Sequence, residues 1–129
     1  MNKNFACLVI DDDTDDQAFF LFALTDTFPA ATCYFANNCL EAIERLATGL
    51  IPPPDYLFMD WVMPAMQAEE CIAELRRIPG MAATRFFILS GSAPFLTAEQ
   101  QSQLGISRIL VKQGNVDDLS GLLQSVIIP

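Results

Sequence analysis

Histidine is absent from this 129-residue chain, and positive charge is scarce: seven Lys and Arg stand against sixteen Asp and Glu, for a formal charge of −9. Without histidine the chain can build neither a Ser-His-Asp nor a Cys-His nucleophile pair, offers no imidazole to a metal, and cannot itself carry a phosphohistidine. So acidic a protein repels phosphate backbones and anionic lipid, so neither nucleic acid nor membrane is expected as a partner. Long apolar runs are missing too. The longest, "AFFLFAL", is far too short to cross a bilayer, and no basic start leads into a signal-type segment, which points to the cytoplasm. The four cysteines, Cys7, Cys33, Cys39 and Cys71, lack C-x-x-C spacing and lie in apolar segments. They read as small buried hydrophobes, with neither a disulfide framework nor a zinc site expected. The chemistry left open to the chain runs on carboxylate, hydroxyl and lysine.

What is present is a hydrophobic content of 52%, enough for a real core, in a length that suits one domain spanning residues 1–129. No repeat, low-complexity tract or linker interrupts it. "FACLVI" is a continuous apolar run of the kind a strand buried on both faces needs, and "TCYFA", "DYLFMD", "RFFILS" and "SRILVK" are four more. Between them apolar residues recur at helical spacing: Leu40, Ile43 and Leu46; Ile72, Leu75 and Ile78; Val116, Leu119, Leu122 and Val126. A helix from Asp15 to Thr27 is apolar almost all round, with Phe19, Phe20 and Phe22 expected in the core and an exposed patch for a partner as the alternative. "TAEQQSQL" is more polar, with Thr97 and Gln100 spaced as a capping box. Strands alternating with helices predict an α/β fold, a five-stranded parallel sheet covered on both faces. The turn signals "IPPPD", "IPG" and "GSAP" fall between the elements.

In such a sheet the ligand site lies beyond the carboxyl ends of the strands, at the switch point of the strand order. The first strand ends in Asp11 and Asp12, the third in Asp60, the fourth in Ser90 and the fifth in Lys112. With the order 2-1-3-4-5 these groups converge on one crevice. Crowded carboxylates repel one another, and a hard cation such as Mg²⁺ would offset that repulsion. A carboxylate can also act as nucleophile toward a phosphoryl group, with a lysine and a hydroxyl contacting the transferred oxygens.

"LVIDDD", "FMDWVMPAM", "ILSGSA" and "ILVKQG", in this order and spacing, resemble the four strand-end motifs of response-regulator receiver domains of two-component signalling, over essentially the whole chain. The resemblance implies a flavodoxin-like three-layer sandwich. Asp60 matches the phosphorylated aspartate, Asp11 and Asp12 the acidic pair that binds Mg²⁺, and Val62 the residue whose backbone carbonyl completes the metal site. Ser90 matches the residue that meets the phosphoryl group, and Lys112 the motif lysine. Asp13, Asp15 and Asp16 are assigned to the turn and the helix start. The partners implied are a sensor histidine kinase or histidine phosphotransfer protein and an output protein, contacted through the fourth helix, fifth strand and fifth helix.

The chain departs from the pattern at Gln67 and Ala68, where Asp-Gly is usual, at Gln113, where a cis proline follows the lysine, and at Ile109, where an aromatic switch residue stands. A changed loop path and a displaced lysine are the expected consequences. Val62 and Ser92, neither acidic nor amide-bearing, flank the expected water path and predict slow self-dephosphorylation. Two other readings compete with a phosphorylatable, non-enzymatic switch: a phosphorylation-independent interaction module, and a small phosphohydrolase with an aspartyl nucleophile.

Overall fold

The computed structural model describes residues 4–91 and 96–127. Along the chain run β1 (Ala6–Ile10), α1 (Thr14–Thr27), β2 (Thr32–Ala36), α2 (Cys39–Ala47), β3 (Tyr56–Met59), α3 (Ala68–Arg76), β4 (Arg85–Ser90), α4 (Ala98–Leu104), β5 (Ile106–Val111) and α5 (Val116–Val126). The strands form one parallel sheet in the order β2-β1-β3-β4-β5, the order expected from the sequence. Burial follows from position in that order. β3 is buried at every residue, whereas β2 and β5, at the two edges, keep exposed positions.

Successive side chains of a strand point to opposite faces, and the apolar residues divide accordingly. Leu8, Ile10, Leu57, Met59, Phe86 and Ile88 pack with α2 and α3. Cys7, Val9, Tyr56, Phe58, Phe87 and Leu89 pack with α1 and α5, where the Phe58 ring lies 5.1 Å from Phe87 and 5.0 Å from Phe20. Leu96 and Leu104, flanking and ending α4, pack on the α2–α3 side. The Thr97–Gln100 capping box forms as expected, and Gly105 closes α4 at φ 76°, where a Cβ would come within 2.9 Å of Arg76 Nη2. Arg76 in turn donates to the carbonyls of Thr84 (3.0 Å) and Gly105 (2.6 Å), with its guanidinium 3.9 Å above the Phe86 ring. This residue ties α3 to the lower edge of the sheet.

Three expectations are corrected. Phe20 is buried, but Phe22 is 62% exposed; two residues along a helix is roughly 200° of rotation, which carries Phe22 off the packed face. Leu40 is 53% exposed, because the buried stripe of α2 is Cys39, Ala42 and Leu46 and Leu40 lies one residue off it. Most importantly, Cys39 and Cys71 form a disulfide. α2 opens with Cys39, α3 carries Cys71 in its first turn, and both pack into the same cluster with Cα atoms 5.9 Å apart, within bridging range. A pair 32 residues apart, on two different helices, leaves no mark in local spacing. Cys7 and Cys33 are free, and burial pushes both thiols up, that of Cys33 to about 12. Both are therefore inert as thiolates.

Candidate functional site

Three backbone bonds continue the ladder past the strand ends and align the residues that follow. Asp11 N–H donates to Ala36 (3.1 Å), Asp60 N–H to Ile10 (3.1 Å) and Lys112 N–H to Ser90 (2.8 Å). Parallel pairing of β1 with β3 sets Ile10 opposite Met59, so Asp11 and Asp60 emerge side by side. Pairing of β4 with β5 sets Ser90 opposite Val111, one residue before Lys112.

Both oxygens of the Asp60 carboxylate are engaged. Oδ1 accepts from the Ser90 hydroxyl at 3.1 Å and from the Val62 N–H at 3.2 Å, while Oδ2 accepts from Lys112 Nζ at 3.0 Å. The same ammonium lies 3.0 Å from Asp11 Oδ2 and 2.7 Å from Asp16 Oδ2. Asp11 is braced from both sides: its Oδ1 accepts from the Asp13 N–H at 2.9 Å, and its backbone carbonyl accepts from Gln17 Nε2 at 2.7 Å. Gln17 also donates to Asn37 Oδ1, at 3.0 Å, linking α1 to the end of β2.

Charge and burial oppose one another here. Asp11 is 5% exposed, and burial pushes its carboxyl above the usual range; Asp16 pushes the same way, while the Asp13 N–H and Lys112 pull against it. Burial alone would lower the Lys112 ammonium, yet its hydrogen bonds to Asp16, Asp11 and Asp60 outweigh that and raise it. Three carboxylates around one ammonium leave two negative charges uncompensated. Among the described residues no three acid, cysteine or histidine side chains form a ready-made metal cage, and three of the acids are gathered on the lysine. In donor chemistry and in charge, though, carboxylate oxygens with this excess of negative charge fit a hard divalent cation such as Mg²⁺.

Of the residues singled out from the sequence, Asp11, Asp60, Ser90 and Lys112 meet in one crevice. Asp12 is exposed, and Val62, 75% exposed, contacts Asp60 through its N–H. Ser92 lies outside the described residues. Lys112 is not displaced by the loss of a following proline: among the described residues every peptide bond is trans, and the ammonium still reaches Asp60. Neither Gln67 nor Ala68 takes a positive φ. Ala65 does, at 76°, so the β3–α3 loop makes its left-handed turn on a residue with a Cβ. Ile109 is partly buried against the α2–α3 cluster.

Sequence reasoning missed Asp16, which it gave to the helix start, and Gln17. Asp13 does cap α1, accepting from the N–H groups of Asp15 and Asp16. The signal for Asp16 was its place four residues before Phe20, on the helix face that turns toward the sheet.

No protein-family model matches the chain, and comparison with curated proteins finds no match. Solved structures do match. The chemotaxis response regulator CheY4 of Vibrio cholerae is 22% identical, with 97% of this chain and all of that one aligned (100%) at a TM-score of 0.77. The Mn(2+)-bound form of response regulator Rcp1 is 19% identical over 95% of this chain and 91% of that one, TM-score 0.77. The phosphorylated cyanobacterial phytochrome response regulator RcpA is 14% identical over 96% and 91%, TM-score 0.75. At these identities the likeness is one of architecture, and by that architecture the chain has the receiver fold of response regulators.

Proposed function

We propose that the chain is a phosphorylatable receiver: Asp60 accepts a phosphoryl group from a sensor histidine kinase or a histidine phosphotransfer protein, and the signal leaves by protein–protein contact through α4, β5 and α5. The observation that carries this reading is the Asp60 carboxylate at the end of β3, engaged by the Ser90 hydroxyl and the Lys112 ammonium. That one solved relative in fold is phosphorylated and another is Mn(2+)-bound lends support.

In the transfer, an Asp60 oxygen attacks phosphorus. A P–O bond forms as the P–N bond to the donor imidazole breaks, and the imidazole leaves with its electron pair to be protonated by solvent. Lys112 shifts its hydrogen bond to the incoming phosphoryl oxygens, and Ser90 donates to another of them. Asp11, Asp12, Asp60 and the Val62 carbonyl would hold Mg²⁺, which supplies the remaining positive charge against the phosphoryl oxygens. No acid or amide side chain stands at Val62 or Ser92 to orient water, so the phosphorylated state decays slowly. The chain acts as a switch without turnover of substrates.

The cytoplasm is the compartment that goes with this reading. Among the described residues no helix is long and apolar enough to cross a membrane. The Cys39–Cys71 bond pulls the other way, since disulfides are rare in reducing compartments.

Incubation with Mg²⁺ and a small acyl phosphate tests the proposal. A phosphoryl adduct by intact mass that Asp60→Asn abolishes is the expected result. No adduct would favour the interaction module, and rapid turnover of many phosphoesters the hydrolase.

A further inference from the structure

We propose that Asp16, in the first turn of α1, is a positioning residue that fixes the Lys112 ammonium over Asp60; this rests on the receiver reading above. An ammonium has three N–H donors, and Lys112 meets three carboxylates: Asp11, Asp60 and Asp16. Two of these belong to the strand ends. Asp16 comes from a helix, makes the shortest contact at 2.7 Å, and is joined to the acceptor Asp60 through the shared ammonium.

Its own position is fixed. The Asp16 N–H donates to Asp13 Oδ1 at 3.3 Å, and Phe20, one turn further on, packs its ring 5.0 Å from Phe58. Lysine carries its charge on a flexible four-carbon stem, so a third anchor limits where that charge can stand. The segment after Lys112 supplies no such constraint: Gln113 follows through a trans bond, and its side chain donates back to the Val111 carbonyl at 2.7 Å. When the phosphoryl group arrives, Lys112 redirects one of its hydrogen bonds to a phosphoryl oxygen while Asp16 keeps its hold from the α1 side.

Two readouts test this: the ¹H–¹⁵N signal of the Lys112 ammonium in metal-free protein, and the rate constant of adduct formation at saturating Mg²⁺ and acyl phosphate. Asp16→Asn should lose the slowly exchanging ammonium signal and slow the adduct about tenfold, whereas Asp15→Asn, the same charge change on an exposed neighbour, should keep the signal and change the rate by less than about twofold. Asp16→Glu should recover most of the rate. In a Lys112→Ala background Asp16→Asn should cost nothing further, as a residue acting through Lys112 requires. Equal effects of Asp15→Asn and Asp16→Asn, or an undiminished effect without Lys112, would overturn the proposal. If no protein forms an adduct, wild type included, the receiver reading fails and the ammonium signal decides the positioning role alone: its loss in Asp16→Asn supports that role, its retention refutes it.

Discussion

Reduction of the Cys39–Cys71 disulfide is expected to weaken the fold substantially, and the loop it closes sets the size of the effect. The bond joins residues 32 apart in sequence. In the chain-entropy account a cross-link of that span removes roughly 3.7 kcal/mol of freedom from the unfolded chain. At about 2.1 cal/mol/K of unfolding entropy per residue, that is a fall in melting temperature of about 14 °C for a chain of this length. Calorimetry with and without a phosphine reductant measures it on the unmutated protein, avoiding the cavity that replacing two buried sulfurs would leave. A thiol count in denaturant accompanies it: two thiols before reduction, from Cys7 and Cys33, and four after. Four thiols in the unreduced protein would show that the bond does not form. A rise from two to four with a melting shift under about 4 °C would refute the entropic estimate itself.

Other outcomes follow from the site and its supports. Mg²⁺ at a hundred times its Kd should raise unfolding free energy by about 2.7 kcal/mol, and Asp11→Ala should abolish that gain; denaturant melts with and without chelator read both. Arg76→Ala should destabilise by about 2–3 kcal/mol, because the carbonyls of Thr84 and Gly105 lose their donor and Phe86 its covering cation; unchanged urea midpoints would contradict it. Ala65→Gly should stabilise by up to about 1 kcal/mol, since glycine adopts φ 76° without a Cβ clash; a lower urea midpoint would show that the loop is not strained there.

The sheet was legible because burial on both faces writes itself as uninterrupted apolar runs, and "YLFM" is buried at every residue. The converging groups were legible for a related reason: parallel strands of one sheet end at the same edge, so the residue after each run lands in the crevice. Asp16 was harder to see. An aspartate in the first turn of a helix has an ordinary explanation in capping and in the helix dipole, and only the three-dimensional approach of α1 to β5 gives it another partner. The disulfide was hidden because its two cysteines are brought together by helices packing on a shared sheet face. Phe22 and Leu40 failed by one or two residues of helical phase, an error that composition cannot correct.

The two covers of the sheet are held by fastenings of different chemistry. On one face α2 and α3 share a covalent bond between Cys39 and Cys71, indifferent to ionic strength and broken by thiols. On the other, α1 is strapped to the end of β5 by the Asp16–Lys112 ion pair, indifferent to thiols and weakened by salt as far as its partial exposure allows. Reductant and salt are therefore orthogonal handles: each loosens a different layer of the same molecule, and the crevice that holds Asp60 lies at the seam between them.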